Sequence, residues 1–161
     1  MSQSEPGVTT ENVAARARAP RVVVVDDDTK VAEELAGLFA DVGYYVTGVA
    51  YAAKEGIDLV EQTNPDVVLM DVRMEGMSGT EAAHVLRRQH PEVPVVLLSA
   101  YNDEGIVRAA EEAEVAAYLV KGCSAEELLS TVGAVVDQSW SRRAQAQSAQ
   151  AQSAQAQGRQ S

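Results

Sequence analysis

Residues 67–79 read VVLMDVRMEGMSG: four apolar residues, an aspartate at 71, then a loop carrying Gly76 and Gly79. A short unbroken apolar run that stops at turn chemistry reads as a strand buried on both faces. Asn64-Pro65 lies just upstream, and proline ends a preceding helix because it lacks an N–H and restricts the residue before it. Downstream the pattern changes to helical spacing over about Gly79–Arg88, which His90-Pro91 closes. The unit is strand, aspartate, loop, helix.

The chain repeats that unit in both directions. Arg21–Val25 is a β-branched run ending in Asp26, Asp27 and Asp28, and Thr29–Ala40 carries Val31, Leu35, Leu38 and Phe39 at helical spacing, with Gly43 as a stop. Tyr45–Ala50 reads as a strand, and Ala52–Gln62 as a helix whose apolar side is Ile57, Leu59 and Val60. On the other side come a strand at Val95–Leu98, a helix at Glu104–Glu112 and a strand at Ala117–Val120. Ser124, with Glu127 at the capping-box position, starts a last helix expected to run to about Trp140. Five strands alternating with five helices predict an α/β domain with a parallel sheet and right-handed crossovers. In such a sheet, function collects at the carboxyl ends of the strands.

Composition agrees. Of 161 residues, 46% are hydrophobic and only 4% aromatic, which suits Val-rich strands under Ala-rich helices better than an aromatic-filled sandwich. The net charge of -11 is uneven, because residues 21–140 hold 22 acids against 8 bases. A surface that acidic repels phosphate backbones, so direct nucleic-acid binding is not expected and partners should be proteins. One cysteine, Cys123, excludes an internal disulfide and is expected half-buried in a reducing cytosol. No membrane span or signal-peptide core is present in the sequence, so a cytoplasmic location is expected. Residues 1–20 read as a mobile leader and 21–140 as the folded domain. Residues 141–161 form an Ala/Gln/Ser tail with a period of five, expected to be disordered because it has no apolar stripe to dock. No appended effector domain is expected after the last helix.

Taking the residues at the end of each strand gives Asp26 and Asp27 after the first, Asp71 after the third, Ser99 after the fourth and Lys121 after the fifth. Clustered carboxylates repel and persist together mainly when a cation holds them. Their hard oxygens select Mg2+, or Mn2+, over zinc. A site with such a cation, an ammonium and a hydroxyl suits phosphoryl transfer, in which positioning and charge neutralisation supply most of the catalysis.

Four motifs then carry a resemblance: VVVVDDD at 22–28, VVLMDVRMEGMSG at 67–79, VVLLSAY at 95–101 and YLVKG at 118–122. In that order, with 44, 28 and 22 residues between Asp27, Asp71, Ser99 and Lys121, they resemble the receiver domains of two-component response regulators over about Arg21 to Val136. The resemblance implies a flavodoxin-like sheet of order 2-1-3-4-5 with helices on both faces. It implies that Asp71 is the phosphorylated nucleophile and that Asp26, Asp27, Asp71 and the Arg73 carbonyl hold Mg2+. Lys121 would pair with Asp71 and then with the phosphoryl oxygens. Ser99 would donate to the phosphoryl group, with Tyr118 as the aromatic that turns inward when the Ser99 loop moves. Arg73 and Tyr101 would sit beside the path of attacking water and set the phosphate lifetime. The implied partners are a histidine kinase or phosphotransfer protein and an unidentified downstream protein, with homodimerisation left open. Rather than a classical enzyme, the chain would be a phosphoacceptor with slow self-dephosphorylation.

Two positions depart from the family pattern. Lys121 precedes Gly122 where the family commonly has a cis Lys-Pro, so either a cis bond costing ~2.5–4 kcal/mol persists or the turn differs. Position 75 is Glu where Pro is common. The Lys121-Gly122-Cys123 turn is similar to that of receivers joined to DNA-binding helix-turn-helix domains. Two rival readings are a phosphate-independent pseudo-receiver and an aspartyl-nucleophile Mg2+ phosphatase, the latter resting on Asp26-Asp27-Asp28-Thr29-Lys30 and predicting Asp26 as the labelled residue. Elsewhere, Asp28 is expected to face solvent or cap the first helix, and Glu111, Glu112 and Glu114 to be a solvated helix end. His84 and His90 are expected to be ordinary polar residues. Trp140 is read as an anchor for the last helix or as a partner contact.

Overall fold

The computed structural model describes residues 18–159. In it the strands β1 (Arg21–Val25), β2 (Tyr45–Ala50), β3 (Val67–Asp71), β4 (Val95–Ser99) and β5 (Ala117–Val120) alternate with five helices. These are α1 (Thr29–Asp41), α2 (Ala53–Thr63), α3 (Gly79–Gln89), α4 (Glu104–Glu112) and α5 (Ala125–Gly158). All strand pairs are parallel, in the order β2-β1-β3-β4-β5.

Strand parity sorts the core into two layers. Val23 and Val25 of β1, Val68 and Met70 of β3, and Val95 and Leu97 of β4 point to one face, where α2, α3 and α4 cover them with Ile57, Val60, Leu86 and Ala110. Val22, Val24, Val67, Leu69, Val96 and Leu98 point to the other, under Ala32 and Phe39 of α1 and Leu128, Val132, Val135 and Val136 of α5. β3 and β4 are buried along their whole lengths, as an unbroken apolar run requires.

The helix starts are chemically marked. Asp28 accepts from the Lys30 and Val31 amides at 3.1 and 3.2 Å, so the extra acid of the first run caps α1. At α3 the capping box is reciprocal between Ser78 and Glu81. At α5 Ser124 accepts from the Glu127 amide at 3.1 Å. Asn64, ahead of Pro65, closes α2 in the left-handed region at φ 48°.

The far end of α5 differs from the sequence expectation. Its 34 residues run past Trp140 to Gly158, so residues 144–158 are helical where disorder was expected. Ala, Gln and Arg are strong helix formers, and no Gly or Pro interrupts the stretch between Gly133 and Gly158. The helix therefore propagates from its packed part although no apolar stripe docks it. The leader expected at residues 1–20 lies mostly outside the described residues; Arg18, its described cation, is held by Asp66 at 2.6 Å. Among the described residues no helix is long and apolar enough to cross a membrane.

Candidate functional site

Because the strands are parallel, Asp26, Asp27, Asp71, Ser99 and Lys121 all come to one edge of the sheet. Asp26 and Ser99 are each 1% exposed and Asp71 is 6% exposed, whereas Asp27 faces outward. Carboxylate oxygens of Asp26, Asp27 and Asp71 lie within 4.8 Å of one another. Lys121 reaches across from β5, with Nζ 2.7 Å from Asp26 Oδ2 and 3.1 Å from Asp71 Oδ1. The sequence pointed to the Asp71 pairing; the shorter one, to Asp26, follows from the β1–β3 adjacency and has no local sequence signal.

The backbone around these groups is tightly fixed. The Lys121 amide donates to the Ser99 carbonyl at 2.7 Å, and the Asp28 amide donates to Asp26 Oδ1 at 2.9 Å. Gly79 donates to the Val72 carbonyl at 2.8 Å, and a Cβ at Gly79 would run into the Asp71 carbonyl oxygen. Only glycine allows α3 to start that close to the strand end. Gly122 takes φ +98°, and among the described residues no peptide is cis, so the turn after Lys121 differs from a cis Lys-Pro turn.

Burial, then the nearby Asp26 carboxylate, pushes the Asp71 carboxyl up to about 6, and the Lys121 ammonium offsets this only in part. Burial alone would pull Lys121 down, but its contacts with Asp26 and Asp71 outweigh it and leave the amine above its ordinary value. The ammonium is therefore charged, and three carboxylates still exceed it by two negative charges. Asp26 Oδ2 is buried and takes no hydrogen bond of good geometry; its close contact is the ammonium. Such a hard, electron-rich set fits a small divalent cation.

The rim holds the remaining sequence-predicted residues. Ser99 Oγ accepts from the Tyr101 amide at 3.1 Å, and the Tyr118 hydroxyl donates to the Tyr101 carbonyl at 2.5 Å. The Arg73 guanidinium lies over the exposed Tyr101 ring, 4.4 Å from its centroid, and 3.9 Å from Asp103, the N-cap of α4. Arg73 and Tyr101 thus form one stacked pair linking the loops after β3 and β4. Asp103 was not singled out by the sequence, although an Asp just before Glu104 at a helix start is a legible cap.

The other named residues lie elsewhere. His84 is exposed, and His90 sits 3.9 Å from Glu92. Cys123 is half-buried, and burial raises its thiol above the ordinary value. Glu111 and Glu112 are exposed, while Glu114, at φ 54°, pairs with Arg87 at 2.5 Å. Trp140 anchors α5 through a hydrogen bond from Nε1 to Asp66 at 3.0 Å.

The family profile for the response regulator receiver domain matches residues 22–133. This chain belongs to that family. It is 34% identical over 113 residues to the response regulator GacA of Pseudomonas viridiflava, which covers 70% of this chain and 53% of that one. It is 33% identical over 132 residues to the transcriptional regulatory protein PdtaR of Mycobacterium tuberculosis, covering 82% of this chain and 63% of the relative. The chain therefore spans less than two thirds of the length of these relatives. Among solved structures, the CheY-like receiver domain protein from Methanospirillum hungatei shares its fold, with a TM-score of 0.74 at 23% identity, over 78% of this chain and 99% of that one. The acidic pocket of this receiver, Asp26, Asp27 and Asp71, is consistent with phosphoacceptor signalling and able to bind a metal ion.

Proposed function

We propose that this receiver is a phosphorylation switch in which Asp71 takes a phosphoryl group from a histidine kinase, a phosphotransfer protein or a small phosphodonor. The observation that carries the reading is the Lys121 ammonium bridging Asp26 and Asp71 inside the three-acid cluster. At neutral pH a carboxyl titrating at about 6 is ionised and can act as nucleophile. An Asp71 oxygen attacks phosphorus as the donor's P–N or P–O bond breaks, and the donor leaves with that electron pair. Asp71 becomes an acyl phosphate.

Asp26, Asp27 and Asp71, with the Arg73 carbonyl, would hold Mg2+ or Mn2+, which supplies the positive charge that lets phosphoryl oxygens approach three acids. Lys121 exchanges its contact with Asp71 for one with the incoming phosphoryl oxygens. The Ser99 hydroxyl turns to donate to the phosphoryl group, which moves the Tyr101 backbone that it now accepts from. Tyr118, bonded to that same residue's carbonyl, carries the movement to the surface formed by α4, β5 and the start of α5. Output passes from there to protein partners in the cytoplasm, and the acidic surface argues against direct nucleic-acid contact.

The test is incubation with Mg2+ and acetyl phosphate, with phosphate read by intact-mass spectrometry, comparing wild type with Asp71→Asn. Labelling that needs Mg2+ and disappears in the variant supports the reading. Equal labelling of both proteins, or of neither, sinks it. Label found on Asp26 would instead indicate a phosphatase-type nucleophile.

A further inference from the structure

The end of the sheet opposite Asp71 holds a second buried carboxylate. Asp66 directly precedes β3, is 1% exposed and lies outside the Asp26, Asp27, Asp71 cluster. It stands ~16 Å from Asp71 along a strand that rises ~3.3 Å per residue. Its two oxygens collect donors from distant parts of the chain. Arg18 Nη2 donates to Oδ1 at 2.6 Å and the Arg21 amide donates to Oδ2 at 2.8 Å. From α5, Trp140 Nε1 and Arg143 Nη1 reach Oδ1 at 3.0 and 3.4 Å. The Arg18 guanidinium also lies over the Trp140 ring at 5.5 Å, and Arg143 Nη2 donates to the Glu92 carbonyl at 3.2 Å.

A buried carboxylate survives only when such donors replace its water. What this one fastens gives it a role beyond satisfying itself. The apolar packing of α5 is made by Leu128, Val132, Val135 and Val136, and past Arg143 and Ala144 every described residue of the helix is exposed. The Ala/Gln/Ser repeat of five advances about 140° around a helix at each step, so no continuous face forms. A helix without a docking face depends for its order on the turn before it. That turn contains Trp140 and Arg143.

We propose that Asp66 is a latch, a positioning residue that fastens both the segment before β1 and the end of the packed part of α5, and thereby holds residues 141–158 as a helix of fixed direction. Since Arg18, Trp140 and Arg143 share one oxygen, a disturbance on the N-terminal side reaches the C-terminal helix through a single atom. This couples the two ends of the fold at a place remote from Asp71.

Hydrogen–deuterium exchange on the full chain tests it, with acrylamide quenching of Trp140, the one tryptophan in the sequence. In Asp66→Asn, amides over residues 137–158 should exchange on the order of tenfold faster, the effect of weakening charge-assisted hydrogen bonds. Trp140 should become more quenchable, while strands β1, β3 and β4 keep wild-type exchange and Asp71 still takes phosphate from acetyl phosphate. Arg18→Gln should shift the same peptides in the same direction by less. Unchanged exchange over 137–158 overturns the latch, and so does an equal acceleration everywhere, which would make Asp66 an ordinary stability residue. If Asp66→Asn does not fold, the pair Trp140→Phe with Arg143→Gln reads the same peptides, and wild-type exchange there overturns it equally.

Discussion

Replacing Asp71, the proposed nucleophile, should make the metal-free protein more stable. The Asp71 carboxyl sits near 6 in the fold against an ordinary 3.8, chiefly through burial and then through Asp26, so the folded state resists its ionisation. Between those values the native protein binds more protons at this group than the unfolded chain does. Its contribution to stability therefore falls as pH rises from about 4 through about 6, and stays low above that. Two units at ~1.4 kcal/mol each cap the cost at about 3 kcal/mol, so roughly 1–3 kcal/mol is expected. Asp71→Asn keeps the shape without the charge. In EDTA at pH 7.5 it should raise the melting temperature by about 3–9 °C, taking ~3 °C per kcal/mol for a domain of this size. The advantage should shrink towards zero below pH 4, where the wild-type carboxyl is also neutral. Calorimetry or urea titration of both proteins at pH 3.5, 5 and 7.5 reads it directly. A variant no more stable than wild type at pH 7.5, or one whose advantage ignores pH, would refute the electrostatic account of the site.

Other outcomes follow from the same geometry. Mg2+ should stabilise wild type by ~2.7 kcal/mol at a hundred times its dissociation constant, and Asp71→Asn by clearly less at the same concentration, as read by thermal shift. Gly79→Ala should cost roughly 1–3 kcal/mol in urea denaturation, because the added Cβ has the Asp71 carbonyl in its way. Tyr101→Ala removes the ring under Arg73 and opens the site, so the acyl phosphate should be lost faster; a dephosphorylation rate equal to wild type would end that assignment. Leu86→Ala, at a fully buried position of α3, should cost ~2–5 kcal/mol without touching phosphate uptake per folded molecule.

The alternation of elements was legible because each strand is a short apolar run closed by turn chemistry. Asn64-Pro65 and His90-Pro91 mark helix ends that the structure places within a residue or two. The strand-end residues were legible too, since a parallel sheet turns positions at the carboxyl ends of β1, β3, β4 and β5 into neighbours. What stayed hidden depends on contacts far apart in sequence. Lys121 lies nearer Asp26 than Asp71, which depends on side-chain reach across three strands. The stack of Arg73 on Tyr101 joins two loops whose conformations no short window determines. α5 runs further than its apolar pattern predicts, because the absence of an apolar stripe does not exclude a helix. Intrinsic propensity and a fixed preceding turn suffice to carry the helix to Gly158.

A single uninterrupted α5 also has a phase. Each residue of α-helix advances 1.5 Å and rotates by about 100°, so whatever is joined beyond Gly158 would face a direction counted from Val136, the last buried apolar anchor. Inserting one residue between Arg143 and Gly158 would swing a body fused there by a quarter-turn or more. Inserting seven would bring it back nearly to its starting azimuth, about 10 Å further out. The helix is therefore a ruler and a protractor at once, and a ladder of insertions from one to seven residues would read both scales.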